Sequence, residues 1–194
     1  MKKTNNNLFL SSTKDLVANL SGFYVNWPEG LNQLKGTAER LSRMYAEFCW
    51  SPEEIEKALQ HSFRLFKNNF DEMLVAKDIH VWALCPHHLL PCEFRVSIGY
   101  IPNGEVLGLS KFARIADILA RRPIMQEQYT SELANLLMER LKPKGVGIIV
   151  YGKHGCMRAR GVKQNSEVVT SVVRGNFLRE GSIKNEFLAV CRER

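Results

Sequence analysis

Residues 94–100 read Phe-Arg-Val-Ser-Ile-Gly-Tyr and contain the clearest strand signal in the chain. Apolar side chains at 94, 96, 98 and 100 alternate with polar or small ones at 95, 97 and 99. This period of two is typical of a β-strand with one buried face. Pro102-Asn103-Gly104 follows as a turn signal. The pattern therefore predicts a β-strand over 94–100 that ends at this turn.

Other strand signals lie on both sides of this one. A looser alternation precedes it at Val75, Ile79, Val81 and Ala83, and β-branched runs follow at 146–151 and 168–173. β-branched residues favour strands, so both later runs are predicted to join the same sheet.

The helical signals fall before, between and after these strands. An apolar stripe with a spacing of three to four residues starts at Leu34, and Ser51-Pro52-Glu53-Glu54 carries the signature of a capping box with proline at the first helical position. Ser110 is a candidate cap for a third helix, and Pro123 separates it from a fourth helix over about 125–141. A short terminal helix is predicted over 184–190.

This order of elements predicts an α+β domain, with a mostly antiparallel sheet and helices on one face. Residues 1–30 are rich in Asn and Ser and are interpreted as an N-terminal arm. Residues 31–194 are interpreted as one domain that begins with a helical pair over 34–68.

Bulk composition narrows the class of protein. The chain has 194 residues, of which 45% are hydrophobic and 24% charged, as expected of a folded globular domain. No apolar run approaches the ~20 residues of a membrane helix or the core of a signal peptide, so we expect a cytoplasmic protein that does not bind membranes. The net charge of +7 favours anionic ligands. No nucleic-acid motif stands out, so a specific nucleic-acid partner is not expected.

Two short clusters concentrate the residues that bind soft metals. They are Cys85-Pro86-His87-His88 and His154-Gly155-Cys156. Cys-x-x-His brings a thiolate and an imidazole to one ion, and the second cluster offers a third ligand, which would leave a fourth position open as in catalytic zinc sites. Either cluster alone is better explained by packing, and it is the two together that favour a metal. Cys92 also leaves open a closed, structural site with four ligands.

The histidines that remain beside such a metal are His87 and His154. Imidazoles with pKa values near ~6.5 exchange protons at neutral pH, so these two are candidates for acid–base catalysis. Support of the metal ligands or simple packing is the alternative for both.

Five motifs in order resemble the GTP cyclohydrolase I family over about 36–187. They are Cys85-Pro86-His87-His88-Leu89-Leu90-Pro91, Tyr100-Ile101-Pro102-Asn103-Gly104, Gly108-Leu109-Ser110-Lys111, Gln126-Glu127 and Cys156-Met157-Arg158-Ala159-Arg160-Gly161. The resemblance implies hydrolysis of GTP at C8 of its guanine ring, loss of formate and formation of 7,8-dihydroneopterin triphosphate. Two departures are Pro86, where the family usually has Glu, and Ala38, where it usually has Pro.

The resemblance also implies roles for individual residues. Cys85, His88 and Cys156 would bind Zn²⁺, which lowers the pKa of water to about 7. His87 would donate a proton to ring nitrogen N7, and His154 would be the second histidine of the active site. The implied substrate-binding residues are Glu127 and Gln126 for guanine, and Ser110, Lys111, Arg114 and Arg160 for the triphosphate, with Arg40 and Arg43 reaching a neighbouring subunit.

Members of this family have the tunnelling fold (T-fold), in which sheets join into a barrel across subunits. The resemblance therefore implies a homodecamer of two stacked pentamers, with active sites at subunit interfaces.

Two other functions stay open at the level of sequence. A related T-fold enzyme would act on a modified purine or a pterin, although the relatives that reduce a nitrile use NADPH and a nucleophilic Cys and lack this zinc triad. The last alternative is a zinc-stabilised module that binds a nucleotide without catalysis.

Overall fold

The computed structural model describes residues 9–23, 26 and 28–192. They form two compact units, Met1–Trp50 and Ser51–Arg194. This division differs from the boundary predicted at residue 30, and it also separates the two members of the helical pair predicted over 34–68.

The first unit consists of helices. They are α1 (Leu10–Phe23), α2 (Pro28–Gln33) and α3 (Thr37–Phe48). The hydroxyl of Thr13 donates to the carbonyl oxygen of Ala38 at 3.0 Å, which ties α1 to α3. Part of the segment interpreted as an arm is therefore a helix that packs on its neighbour. The predicted helix at Leu34 begins three residues later, because Gly36 has a positive φ of 74° and caps α3.

The second unit contains the sheets and the remaining helices. In chain order these are α4 (Pro52–Gln60), β1 (Leu65–Lys67), β2 (Leu74–Leu84), β3 (Pro91–Ile101), β4 (Glu105–Leu107), α5 (Leu109–Leu119), α6 (Gln126–Leu141), β5 (Gly145–His154), α7 (Gly155–Arg158), β6 (Val168–Gly175), α8 (Asn176–Arg179) and α9 (Gly181–Arg192). The capping box predicted before α4 is present, since Ser51 and Glu54 exchange both hydrogen bonds. The helix before Pro123 begins at Leu109, with Gly108 rather than Ser110 as its N-cap.

The main sheet has the order β2-β3-β5-β6, and every neighbouring pair is antiparallel. This confirms the predicted α+β class. A second sheet of β1 and β4 was not predicted. Each of these strands has three residues, too few for a period of two to be visible, and β1 falls within the helical pair predicted over 34–68.

The main sheet is covered on both faces. Helices α5 and α6 pack on the face that carries Phe94, whose ring lies 5.4 Å from that of Tyr129 in α6. On the other face, the rings of Phe177 and Phe187 pack over Gly147. A Cβ atom at Gly147 would lie 2.8 Å from both rings, so glycine is needed for this close approach. The predicted helical layer is therefore present, and α8 and α9 add a second one.

The structure of strand β2 explains why its apolar residues alternate only loosely in the sequence. Its register against β3 shifts between Ala76 and Ile79, where Asp78 has a positive φ of 57°. Such an irregularity moves the apolar side chains from one face of the strand to the other. Val75 thus pairs with Gly99 on the α9 side, whereas Ile79 pairs with Val96 on the α6 side.

Candidate metal centre and substrate site

The loop between β2 and β3 presents two of the predicted metal ligands. The Cys85 N–H donates to the Leu90 carbonyl at 2.9 Å, and the Leu89 N–H donates to the Cys85 carbonyl at 2.9 Å. The second bond closes one helical turn, and residues three apart lie on the same side of such a turn. The Sγ atom of Cys85 accordingly lies 3.6 Å from Nδ1 of His88.

Pro86 fits this loop. It follows the first residue of the turn, where its fixed φ is favourable. The two bonds that close the loop use the N–H groups of Cys85 and Leu89, so the missing N–H of proline costs neither of them. The departure at Pro86 is thus compatible with the local backbone.

The third ligand arrives from the end of β5. His154 is the last residue of that strand, and α7 begins at Gly155, so Cys156 lies in the first turn of α7. A Cβ atom at Gly155 would lie 2.6 Å from the carbonyl oxygen of Pro91 in β3. Glycine therefore lets the chain turn against β3 and bring Cys156 to the Cys85 loop.

Ligand atoms of Cys85, His88 and Cys156 all lie within 4.8 Å of one another. Two ligand atoms of a tetrahedral zinc site lie about 3.6 Å apart, given bond lengths of about 2.3 Å to sulfur and 2.0–2.1 Å to nitrogen. The Cys85–His88 distance of 3.6 Å has this spacing already. Two thiols and an imidazole are ligands that zinc prefers, so the residues present fit a zinc ion.

Cys92 is not part of this group. Its Sγ atom instead lies 3.3 Å from Nδ1 of His154, the residue directly opposite it in the β3–β5 pair. Burial, together with the neighbouring thiols of Cys85 and Cys156, raises the pKa of Cys92 to about 12. Because the sulfur of Cys92 lies outside the group and contacts His154, the geometry favours the arrangement with three ligands over the closed site with four.

The two candidate acid–base histidines have different surroundings. His87 is exposed, and its Nδ1 atom lies 3.9 Å from Sγ of Cys85. His154 is partly buried, and burial lowers its pKa while the charge of Glu127 opposes that shift. His87 thus lies beside the metal ligand Cys85, whereas the side chain of His154 contacts Cys92 and Gln126. The catalytic roles of both histidines stay predictions.

The start of α6 is held beside the metal loop. The Ile124 N–H donates to the Leu84 carbonyl at 3.0 Å, immediately before Cys85. Glu127 in the first turn of α6 is exposed, as a substrate-binding carboxylate must be. Gln126 is only 2% exposed, and Oε1 of its amide lies 2.8 Å from Nε2 of His154. The structure therefore places Gln126 behind the histidine and not on the accessible surface.

The predicted phosphate-binding residues occupy two elements. Ser110, Lys111 and Arg114 lie in the first half of α5, where Ser110 and Arg114 are exposed and Nζ of Lys111 donates to the His61 carbonyl at 3.4 Å. Arg160 follows α7, and its Nη1 donates to Nε2 of His88 at 2.7 Å. Arg160 thus brings a cation into direct contact with the metal group.

Arg40 and Arg43 belong to α3 in the first unit, and both are exposed. The Nη2 atom of Arg40 donates to the Lys35 carbonyl at 3.1 Å and to the hydroxyl of Thr37 at 2.9 Å. That these two arginines reach the active site of a neighbouring subunit stays a prediction.

Sequence reasoning missed the buried polar contacts around His154. The sequence leaves Cys92 open as a fourth metal ligand and does not single out Thr170, yet Cys92 contacts His154 and Thr170 contacts the Gln126 amide at 3.1 Å. Neither residue carries a local signal, because the contacts join β3, β5, β6 and α6.

None of the described helices is long and apolar enough to cross a membrane.

The family model and the curated relatives that match this chain belong to one family. The family model described as GTP cyclohydrolase I matches residues 27–192. GTP cyclohydrolase 1 of Coxiella burnetii is 40% identical over 157 residues, which cover 74% of this chain and 85% of that protein. GTP cyclohydrolase 1 of Hahella chejuensis is 40% identical over 186 residues, covering 92% and 96%. That of Pseudoalteromonas translucida is 50% identical over 129 residues, covering 66% and 70%.

Proposed function

The chain belongs to the GTP cyclohydrolase I family and is an enzyme of that type, and from this premise we propose that it hydrolyses GTP at C8 with zinc bound by Cys85, His88 and Cys156. The products are formate and 7,8-dihydroneopterin triphosphate. The observation that carries the zinc proposal is the convergence of three ligand atoms within 4.8 Å from two segments separated by 71 positions.

Bound zinc supplies Lewis-acid activation of the attacking water. The chain's own residues supply the proton transfers. His87 is exposed beside Cys85, so its imidazole is accessible to a bound guanine and is proposed to protonate N7. His154 is partly buried and is proposed as the second proton-transfer group.

Recognition of guanine is proposed for Glu127. Its carboxylate is exposed in the first turn of α6, and its charge reaches His154. A carboxylate accepts hydrogen bonds from a ring N–H and an exocyclic amine together, which are the donors on one edge of guanine. The link between Ile124 and Leu84 supports a position next to the metal ligands.

Binding of the triphosphate is proposed for Ser110, Lys111, Arg114 and Arg160. The first three lie in the initial turns of α5, whose N-cap residue makes no side-chain hydrogen bond. Backbone N–H groups in the first turn of such a helix can donate hydrogen bonds to a bound anion. Arg160 adds a guanidinium beside His88, and guanidinium groups bind phosphate through paired hydrogen bonds.

Self-association as a homodecamer of two pentamers is also proposed, and cytoplasmic localisation with it. Strands β2 and β6 are the edges of the main sheet, and no strand among the described residues pairs with their outer sides. Edge strands of 11 and 8 residues, such as β2 and β6, favour pairing with another chain. Sheets joined in this way would form the barrel of the T-fold.

The test is an activity assay on zinc-loaded protein. Incubation with GTP, followed by oxidation, is expected to yield neopterin fluorescence together with formate. Cys156→Ser is expected to lose bound zinc and turnover, whereas Cys191→Ser in α9 serves as the matched control and should retain both. If the wild-type protein contains zinc and is assembled but yields neither product, the proposed function is wrong.

A further inference from the structure

The side-chain amide of Gln126 is surrounded by acceptors on one side. Its Nε2 lies 3.0 Å from the Val150 carbonyl, 3.0 Å from the Val168 carbonyl and 3.1 Å from the hydroxyl of Thr170. Two of these partners are backbone carbonyls, which only accept hydrogen bonds. The amide nitrogen must therefore face β5 and β6, because the reversed amide would set oxygen against oxygen.

This orientation determines what His154 meets. With the nitrogen committed to the strands, Oε1 of Gln126 is the atom 2.8 Å from Nε2 of His154. An amide oxygen only accepts, so Nε2 of His154 must carry the proton. The lone pair of the neutral ring is then on Nδ1, which lies 3.3 Å from the thiol of Cys92.

The space for this contact depends on Gly152. A Cβ atom there would collide with Oε1 of Gln126 and would lie 3.0 Å from Nε2 of His154. Since Gly152 stands two residues before His154 on the same face of β5, the missing side chain leaves room for the amide. Thus α6, β3, β5 and β6 all contribute contacts around the hydrogen bond between Gln126 and His154.

We propose that Gln126 is a positioning residue that holds His154 in the Nε2-protonated tautomer and directs its Nδ1 lone pair towards Cys92. The consequence for catalysis rests on the proposed function, since the tautomer determines which nitrogen of His154 is available for proton transfer. This role replaces the guanine contact implied for Gln126 by the family resemblance.

The direct test is solid-state NMR of the zinc-loaded, full-length protein with ¹³C,¹⁵N-labelled histidine. The chain has five histidines, so His154 is assigned by the signal that His154→Asn removes. The expected spectrum shows Nε2 protonated and Nδ1 unprotonated. An Nδ1-protonated ring in the wild-type protein would overturn the proposal without any further variant.

Variants then attribute the tautomer to Gln126. Gln126→Leu should give a mixture of tautomers, whereas Cys92→Ala should keep the Nε2-protonated form because the amide is intact. Gln128→Leu is the matched control, since Gln128 is exposed in the same helix and bonds to Glu132. A single Nε2-protonated form in folded Gln126→Leu protein would overturn the assignment to Gln126.

Kinetics separate positioning from substrate binding. Gln126→Leu is expected to lower kcat by about 10- to 100-fold with the KM for GTP within about twofold of the wild type. A rise in KM with unchanged kcat would show a substrate contact and overturn the positioning role. If the wild-type protein does not turn over GTP but shows the expected tautomer, the proposed function fails and the structural assignment stands.

Discussion

Replacement of Gly155 by alanine would test how the metal ligands are assembled. A Cβ atom at this position lies 2.6 Å from the carbonyl oxygen of Pro91, whereas ordinary van der Waals contacts start at 3.4 Å. The obstacle is backbone, so relief requires a shift of α7 of about 0.8 Å, the difference between these distances. Cys156 is the next residue, and its sulfur is expected to move by a similar amount.

A shift of this size exceeds what a zinc site tolerates, because ligand distances vary by only about 0.2 Å between functional sites. We expect zinc affinity to fall by about 10- to 100-fold, as for the loss of groups that orient metal ligands. The corresponding free energy of binding is about 1.4–2.7 kcal/mol. The assay is competition for zinc with a chromogenic chelator at neutral pH.

The matched control is Gly181→Ala, since a Cβ atom there meets nothing within 4 Å. Thermal unfolding of both variants shows whether the fold is retained. Equal zinc affinity in the Gly155→Ala and Gly181→Ala proteins would refute the argument that close backbone packing at Gly155 positions Cys156.

Three further predictions concern stability, each measured by urea unfolding. Phe187 is 1% exposed, so Phe187→Ala should cost about 3–5 kcal/mol, whereas Leu178→Ala, at a site 69% exposed, should cost less than about 0.5 kcal/mol. Similar losses would contradict the packing of α9 on the main sheet. The Tyr129 hydroxyl donates to the Ala116 carbonyl at 3.0 Å, so Tyr129→Phe should cost about 1 kcal/mol at neutral pH. Burial raises the pKa of Tyr129 in the folded protein. This stabilisation is therefore complete below pH ~10, where the tyrosine of the unfolded state begins to ionise, and it declines above that pH. The prediction is contradicted if the difference in unfolding free energy between wild type and Tyr129→Phe stays constant across that range. Ser51→Ala should cost about 1 kcal/mol through loss of the capping box, and an unchanged midpoint would count against that role.

The elements that were predicted correctly have local causes. The strand over 94–100, the helix start at Ser51 and the break at Pro123 each depend on the period, caps or backbone restrictions of neighbouring residues. The strand at 75–83 was only loosely visible, because the shift near Asp78 reverses its faces and depends on pairing with β3.

Other elements depend on packing between distant segments. The strands β1 and β4 are short and form because Leu65–Lys67 meets Glu105–Leu107 across the intervening hairpin. The helices α8 and α9 cover the second face of the sheet because Gly99 and Gly147 leave room for aromatic rings. A glycine in a strand pattern does not reveal which side chain will fill the space above it.

The candidate site likewise depends partly on local sequence and partly on contacts between distant segments. That Cys85 and His88 can share one ion is visible in the sequence, because their spacing of three residues acts within a single loop. The three-dimensional fold is needed to see that Cys156 joins them while Cys92 bonds to His154, and that Gln126 lies buried behind that histidine. Those outcomes follow from the register of β3 against β5 and from the docking of α6, which long-range hydrogen bonds and packing specify and local spacing does not.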